Sequence, residues 1–210
     1  MIDALKIKGK TSPIKWLTHP IDTVEEMKEK RNGSVVIATI ILAIFTVAEI
    51  LGTLTKGFIF NTERPQDFNI FMVLARSLFM VLLFVIANWA LCTLLDGEGR
   101  LVDIYMCTCY SLTPLIIFRI IDIILSNAMV EDEYVFVNML AAVIYIWFGS
   151  MIIFSLKRIH NYSFLRIIFN LAMTIIAMVI IFFIIFLFII LIQQLYIFLA
   201  TIFTELRMRL

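Results

Sequence analysis

Long apolar segments alternate with short polar ones along most of the chain. Apolar runs cover approximately residues 35–52, 70–95, 102–125, 134–156 and 166–192. Each run is close to or above the roughly 20 residues that a helix needs to cross the hydrocarbon core of a bilayer. The pattern therefore predicts an all-α membrane protein, in which five transmembrane helices form one bundle over residues 35–192.

Composition supports this class. Of the 210 residues, 62% are hydrophobic, and the mean hydropathy is +1.03. A soluble domain, with roughly 45–50% apolar residues, would not contain so much apolar surface, so the lipid bilayer is the expected surrounding. The net charge of +1 gives no field that would attract nucleic acid, and no nucleic-acid partner is expected.

Residues 1–34 are more polar and are predicted to be a cytosolic tail followed by an amphipathic helix. Thr23 and Glu26 have the spacing of a capping box. Apolar positions recur at helical spacing in Leu17, Ile21, Val24 and Met27. We expect this helix to lie on the membrane surface or against the cytosolic ends of the spans, with an ordinary solvated helix as the alternative.

The third and fifth spans have irregular features. Pro114 lies near the middle of the third span and is expected to kink it, with Ser111 and Thr113 covering the exposed backbone groups. No charged residue occurs from Ile167 to Thr204, a stretch of 38 residues that would be about 57 Å long as a helix. We expect the span to end near Gln193-Gln194, and residues 193–210 to form an interfacial or docking helix.

The basic residues predict the orientation. With the N-terminus inside, eleven Lys and Arg residues lie on the cytoplasmic side and four on the other. This asymmetry favours a cytoplasmic N-terminus and an external C-terminus.

Four ionisable residues fall inside the predicted spans: Glu49, Arg76, Arg119 and Asp122. Each costs about 2.5–3.5 kcal/mol at a helix centre, so they should face the bundle interior or form pairs. We expect one compensated network made of a Glu49–Arg76 pair and an Arg119–Asp122 pair. A buried clamp that fixes the order of the helices is the favoured role, with partner docking and a transport pathway as alternatives.

No catalytic, cofactor-binding or metal site is expected, and the chain is not predicted to be an enzyme. The cysteines lie inside apolar runs without a C-x-x-C spacing, and the two histidines have no clustered acid or nucleophile in sequence. Gly97 and Gly99 lack the third glycine of a dinucleotide site and are better explained by a tight turn.

Several short motifs occur in a characteristic order over about residues 16–192. They are His19-Pro20 before the first span, Gly97-Glu98-Gly99 before the third, Tyr110-Ser111 and Pro114 within it, Trp147 in the fourth, and Ile159 to Ser163, which includes His160, before the fifth. In this order the chain resembles the Yip-domain family of small polytopic membrane proteins, which is named for eukaryotic members that interact with Rab-type GTPases. The short N-terminal tail resembles the bacterial branch.

The resemblance implies a five-span fold, a location in the bacterial plasma membrane and a non-catalytic role. The expected function is that of a membrane adaptor or accessory subunit. Its partners would be other integral membrane proteins, such as the permease subunits of a transporter. A small autonomous transporter or channel is the alternative, although five spans do not divide into inverted repeats.

Overall fold

The computed structural model describes residues 16–17, 20–30, 33–57, 59–61, 68–95 and 97–209. These residues contain no β-strand. Their helices are α1 (Pro20–Lys30), α2 (Val35–Thr55), α3 (Ile70–Leu94), α4 (Leu101–Ser111), α5 (Thr113–Ala128), α6 (Tyr134–His160) and α7 (Phe164–Arg209). A 3-10 turn, Glu131–Glu133, precedes α6. Five segments are long and apolar enough to cross a membrane, with α4 and α5 together forming the third. The predicted fold is confirmed.

Polar side chains define where several helices begin and end. The Ser34 hydroxyl accepts a hydrogen bond from the backbone N–H of Ile37 at the start of α2. The Asn69 side chain accepts one from the N–H of Phe71 at the start of α3. Asn161 ends α6 in the left-handed conformation, with φ of 57°, which asparagine adopts more easily than most residues. Each cap satisfies backbone groups that a helix end leaves open.

The third span is divided into α4 and α5 at Leu112, next to the position where Pro114 predicted a kink. Pro114 has no N–H, so the carbonyl of Tyr110 loses its helical partner. The Thr113 hydroxyl donates to that carbonyl at 2.7 Å. Ser111 instead donates to the carbonyl of Cys107, one turn earlier. Thr113 therefore covers the freed group, and Ser111 does not contribute to it.

We call the end of the bundle that carries α1, Gly97–Arg100 and the α6–α7 turn the near side, and the opposite end the far side. Helix α4 is the most enclosed part of the bundle and packs against α2, α3 and α6. Nearly all of its side chains from Ile104 to Ser111 are buried. The other spans surround it, so the core is centred on the near-side half of the bundle.

Helix α1 packs against the near-side end of α6. Val24 and Met27 are buried in the same core cluster as Trp16, whose ring stacks on Tyr110 with centroids 5.0 Å apart. On the polar side, Lys28 pairs with Glu98 at 2.9 Å. The placement of this helix at a membrane surface stays a prediction, and His19 lies outside the described residues.

Helix α7 is much longer than the other spans. It contains 46 residues, which corresponds to about 69 Å, and it is not interrupted at Gln193-Gln194. Its first part packs against α3. Every side chain described from Phe182 onward is exposed. The C-terminal half of α7 thus extends without a neighbour among the residues that the structure describes.

Candidate functional site

A buried cluster of uncharged polar side chains joins α3, α6 and α7 on the near side. Asn88 is central to this near-side cluster. Its amide nitrogen donates to the Asn170 side-chain oxygen at 2.9 Å and to the Thr174 hydroxyl at 3.1 Å. Its amide oxygen lies 3.0 Å from His160 Nε2, and His160 Nδ1 lies 3.0 Å from the Cys92 sulfur. All five side chains are almost completely buried.

The hydrogen-bond partners define the tautomer of His160. The Thr174 hydroxyl donates to the backbone carbonyl of Asn170, so it must accept from Asn88. The amide nitrogen of Asn88 therefore faces Thr174, and its oxygen faces the histidine. His160 Nε2 must then carry the proton, which leaves Nδ1 to accept from the Cys92 thiol.

Two glycines let the backbone of the Gly97–Arg100 turn approach this cluster closely. A Cβ atom at Gly99 would overlap the His160 ring, and one at Gly97 would overlap the Cys92 sulfur and the Tyr162 hydroxyl. Tyr162 stacks on His160 with ring centroids 5.2 Å apart and donates to the carbonyl of Leu95 at 3.1 Å. The turn between the second and third spans therefore packs tightly against the α6–α7 turn.

Cys92, His160 and Asn88 form a chain of a thiol, an imidazole and an amide. Some cysteine proteases use the same three groups as a catalytic triad. Here the thiol is completely buried and lies beneath the glycine turn. A substrate would have to displace this turn to reach the sulfur. The arrangement as it stands connects α3 with α6 and presents no accessible nucleophile.

A charged network, the far-side network, joins α2, α5 and the first residues of α6. Arg119 donates to the Glu49 carboxylate at 3.0 Å and lies 3.5 Å from the Asp122 carboxylate. Lys56 approaches Asp122 from the other side at 3.5 Å, and the Tyr134 hydroxyl donates to it at 2.7 Å. Two acids and two bases balance each other, as expected where lipid surrounds the protein.

The composition of this network corrects the sequence prediction. Glu49 pairs with Arg119 instead of Arg76, because α5 packs against α2 and Gly52 leaves room for the guanidinium between them. Arg119 and Asp122 are joined as predicted. Lys56 was not expected to take part. Arg76 is exposed and forms no ion pair with a residue that the structure describes.

A cavity of about 810 Å³ lies between the far-side network and the centre of the bundle. Every span contributes to its wall, which is mainly apolar. Three charged side chains line it: Glu49, Arg76 and Arg119. Gly149 of α6 also lines it, and a Cβ atom there would meet nothing within 4 Å.

The remaining motif residues lie apart from one another. Tyr110, Ser111 and Pro114 form the helix break inside the bundle. Trp147 lies on the outer surface of α6 with 43% of its area exposed. Ser163 is exposed, and its carbonyl accepts the N–H of Ile167 in the first turn of α7. Among the motif residues that the structure describes, Gly97, Gly99, His160 and Tyr162 meet in one site.

The family model described as "Yip1 domain" matches residues 14–187. The chain belongs to the Yip1 family. This match covers most of the chain and includes the near-side cluster, the far-side network and the cavity. No curated protein and no solved structure matches the chain. The Yip1 family is not a known enzyme family. In this Yip1 protein, the described residues contain no group of three or more metal-binding side chains.

Sequence reasoning missed most of the near-side cluster. The sequence pattern was not used to assign a role to Asn88, Asn170 or Thr174. A signal was present, because Asn170 and Thr174 are four residues apart and so share a helical face in an otherwise apolar run. Cys92 has the same spacing from Asn88. Polar residues repeated at helical spacing within a span would have indicated an internal contact.

Proposed function

We propose that this Yip1 protein is a non-enzymatic membrane adaptor or accessory subunit, which binds another integral membrane protein through the C-terminal half of α7. The observation that carries this proposal is the length and exposure of that helix. From Ile181 to Glu205 it contacts almost no other part of the chain that the structure describes, and its side chains are nearly all apolar.

A bilayer alone does not accommodate this helix. The uncharged stretch of 38 residues is about 57 Å long, whereas the hydrocarbon core is about 30 Å thick and the whole bilayer about 40–45 Å. Spanning only the core would require a tilt of about 60°, above the usual range of 0–40°. Apolar side chains that extend beyond the lipid are covered at lower free energy by a partner protein.

A transporter permease is a suitable partner class, because its own spans offer apolar surfaces and its extramembrane parts reach beyond the headgroups. Glu205 and Arg207 are the first charged residues after the apolar stretch of α7. They would then contact the polar, extramembrane part of the partner. The bacterial plasma membrane and a cytoplasmic N-terminus are part of this proposal, supported by the distribution of basic residues.

Site-specific photo-cross-linking in the native membrane tests the proposal. A photoreactive amino acid would replace Tyr196 or Phe203, both strongly exposed on α7. The matched control is Ile146, which is equally exposed on the outer surface of α6. We expect adducts with one integral membrane protein from the α7 positions and none from Ile146.

Two results would contradict the adaptor. Adducts of equal yield from α6 and α7 would indicate random collision in the membrane. Adducts that contain only a second copy of this chain would show that α7 mediates self-association, and the protein would then have to act without a distinct partner.

The alternative, a small autonomous transporter or channel, is favoured by one observation, the cavity that all five spans line. Its wall is mainly apolar, and two of its three charges neutralise each other. A conduction path needs polar groups along its length. Flux of small ions or solutes into liposomes that contain the purified protein distinguishes this function from that of an adaptor.

A further inference from the structure

The cavity and the exposed guanidinium of Arg76 together form a candidate binding site that is separate from α7. We infer that this cavity binds an anionic phospholipid of the surrounding bilayer, with an acyl chain between the spans and the headgroup at the guanidinium of Arg76. The inference concerns a lipid ligand and does not depend on α7 having a protein partner.

The size and wall of the cavity fit a hydrocarbon chain. Sites for small organic ligands are about 300–1,000 Å³ and mainly apolar with a few polar groups, and this cavity has about 810 Å³. Its wall extends along α3 from Val73 to Phe84, which is about 16 Å of helix. It is partly open, and we expect an acyl chain to enter through this opening. Apolar side chains from α6 and α7, such as Ile153 and Ile175, complete the wall.

The charges at the far-side end of the cavity favour an anion. Glu49, Arg76 and Arg119 line the cavity, so its wall carries a net charge of +1. Glu49 is already paired with Arg119. The uncompensated charge is therefore that of Arg76, which has no ion-pair partner among the described residues. A guanidinium binds phosphate oxygens well, because its planar donors can make two hydrogen bonds at once.

Arg76 lies close enough to the far-side end of α3 for its long side chain to reach a lipid headgroup. It lies six residues after the start of α3, about 9 Å from the far-side end of that helix. A long side chain at this depth can extend its charged group toward the headgroup region while its stem stays in apolar surroundings. Basic pockets between spans bind acidic headgroups on the cytoplasmic side of membranes, and the same pairing of guanidinium with phosphate is available to a headgroup on the far side. The zwitterionic lipids lack the net charge that this site selects.

The test uses the full chain in liposomes with photoactivatable lipids. Phosphatidylglycerol and phosphatidylcholine would carry the same diazirine-labelled acyl chain, and mass spectrometry would locate the adducts. We expect adducts on the cavity residues of α3 and α6, with phosphatidylglycerol at least about fivefold above phosphatidylcholine. This ratio corresponds to about 1 kcal/mol. Inorganic phosphate added in excess should not compete, because it lacks the acyl chain.

Two variants separate the headgroup from the chain. Arg76→Gln should lower phosphatidylglycerol labelling to the level of phosphatidylcholine, whereas Arg207→Gln, an exposed arginine near the end of α7, should leave the ratio unchanged. Gly149→Phe places a ring in the cavity and should remove most adducts with both lipids. Ala142→Phe, on an exposed part of the same helix, should not. Circular dichroism and the melting temperature confirm that each variant is folded.

Three results would overturn the inference. Equal labelling by the two lipids in the unaltered protein would show that the headgroup is not selected. Adducts on the outer surfaces of the spans, with none in the cavity, would show an ordinary lipid annulus. Competition by inorganic phosphate would show an anion site that does not require a lipid.

Discussion

The near-side cluster and the far-side network connect helices by different chemistry. On the near side, uncharged groups such as Asn88 and His160 are almost completely buried, and the backbone of Gly99 packs directly on the His160 ring. On the far side, four charged groups form ion pairs, and Glu49 and Arg119 each keep about a fifth of their side-chain area exposed. The near side is thus a tightly packed joint, whereas the far side is a charge-balanced clamp beside a cavity.

This difference in chemistry indicates which substitutions should destabilise each end of the bundle. A neutral, tightly packed joint is sensitive to the shape of its residues, because a small displacement breaks several hydrogen bonds together. A clamp of ion pairs is sensitive to the loss of a single charge, because the remaining partner is left uncompensated in a medium of low polarity. The far side combines this sensitivity with a cavity, and is therefore the end where a ligand can alter the packing.

Removal of the central charge of the far-side network should have the largest effect. Arg119→Gln leaves Glu49 without its partner and Asp122 with only Lys56 as a cation. Loss of one partner of a buried pair costs about 3–5 kcal/mol, and the partial exposure here favours about 3 kcal/mol. For a chain of this size the apparent melting temperature in detergent should fall by roughly 8 °C.

Arg76→Gln is the matched control, because Arg76 lines the same cavity as Arg119 but forms no ion pair with a described residue. In lipid-free detergent, where no phospholipid occupies the cavity, its melting temperature should change by about 1 °C or less. Equal losses for the two arginine variants would show that the ion pairs with Arg119 do not stabilise the fold. A Glu49→Gln/Arg119→Gln double variant should recover part of the loss, because no uncompensated carboxylate remains at position 49.

The near-side cluster should lose somewhat less stability when its central amide is removed. Asn88→Ala leaves His160 Nε2 without its acceptor and the Asn170 oxygen without its donor. Unsatisfied buried groups of this kind should cost about 2 kcal/mol in total, or roughly 5 °C in melting temperature. Asn138→Ala, an exposed asparagine of α6, should change it by less than about 1 °C. A loss of the same size in both variants would argue against the cluster as a joint.

The glycine turn should respond to a single methyl group. Gly99→Ala places a Cβ atom against the His160 ring and close to Ile159, both of which belong to the packed core. Overpacking of this kind costs typically 1–3 kcal/mol, and we expect about 1.5 kcal/mol, or roughly 4 °C. Gly149→Ala in α6, where a Cβ atom meets nothing within 4 Å, should be neutral or slightly stabilising. If both glycine variants behave alike, the close approach at Gly99 is not a constraint.

The fold was largely predictable from the sequence, because bilayer thickness and hydropathy act on each span separately. The break at Pro114 was also predictable, since proline removes an N–H whatever surrounds it. The course of α7 through Gln193-Gln194 was not. Two glutamines do not interrupt helical hydrogen bonds, so only their polarity suggested an end to the span.

The pairing of charges was only partly predictable. Arg119 and Asp122 are three residues apart on one helix, and their contact follows from helical geometry alone. The choice of Arg119 over Arg76 as the partner of Glu49 depends on which helices are neighbours and on the space beside Gly52. The near-side cluster likewise depends on packing, because Asn88 and Asn170 come from spans that are distant in sequence and meet only in the bundle.

The smallest expected effect concerns the exposed ion pair that joins α1 to the glycine turn. The hydrogen bond and positive charge of Lys28 lower the pKa of Glu98 below its ordinary value of 4.5. Because the folded-state pKa is the lower one, this stabilisation is present above about pH 4.5 and is lost as the pH falls through the folded-state pKa. Glu98→Gln should therefore lower the melting temperature slightly at pH 7 in low salt. The difference should shrink at lower pH and in 1 M salt, as expected for screened surface charges.

Glu131→Gln, on the far side and without an ion pair among the described residues, should show neither dependence. A Glu98→Gln effect that persists unchanged at high salt and low pH would show that the side chain acts through packing and not through its charge.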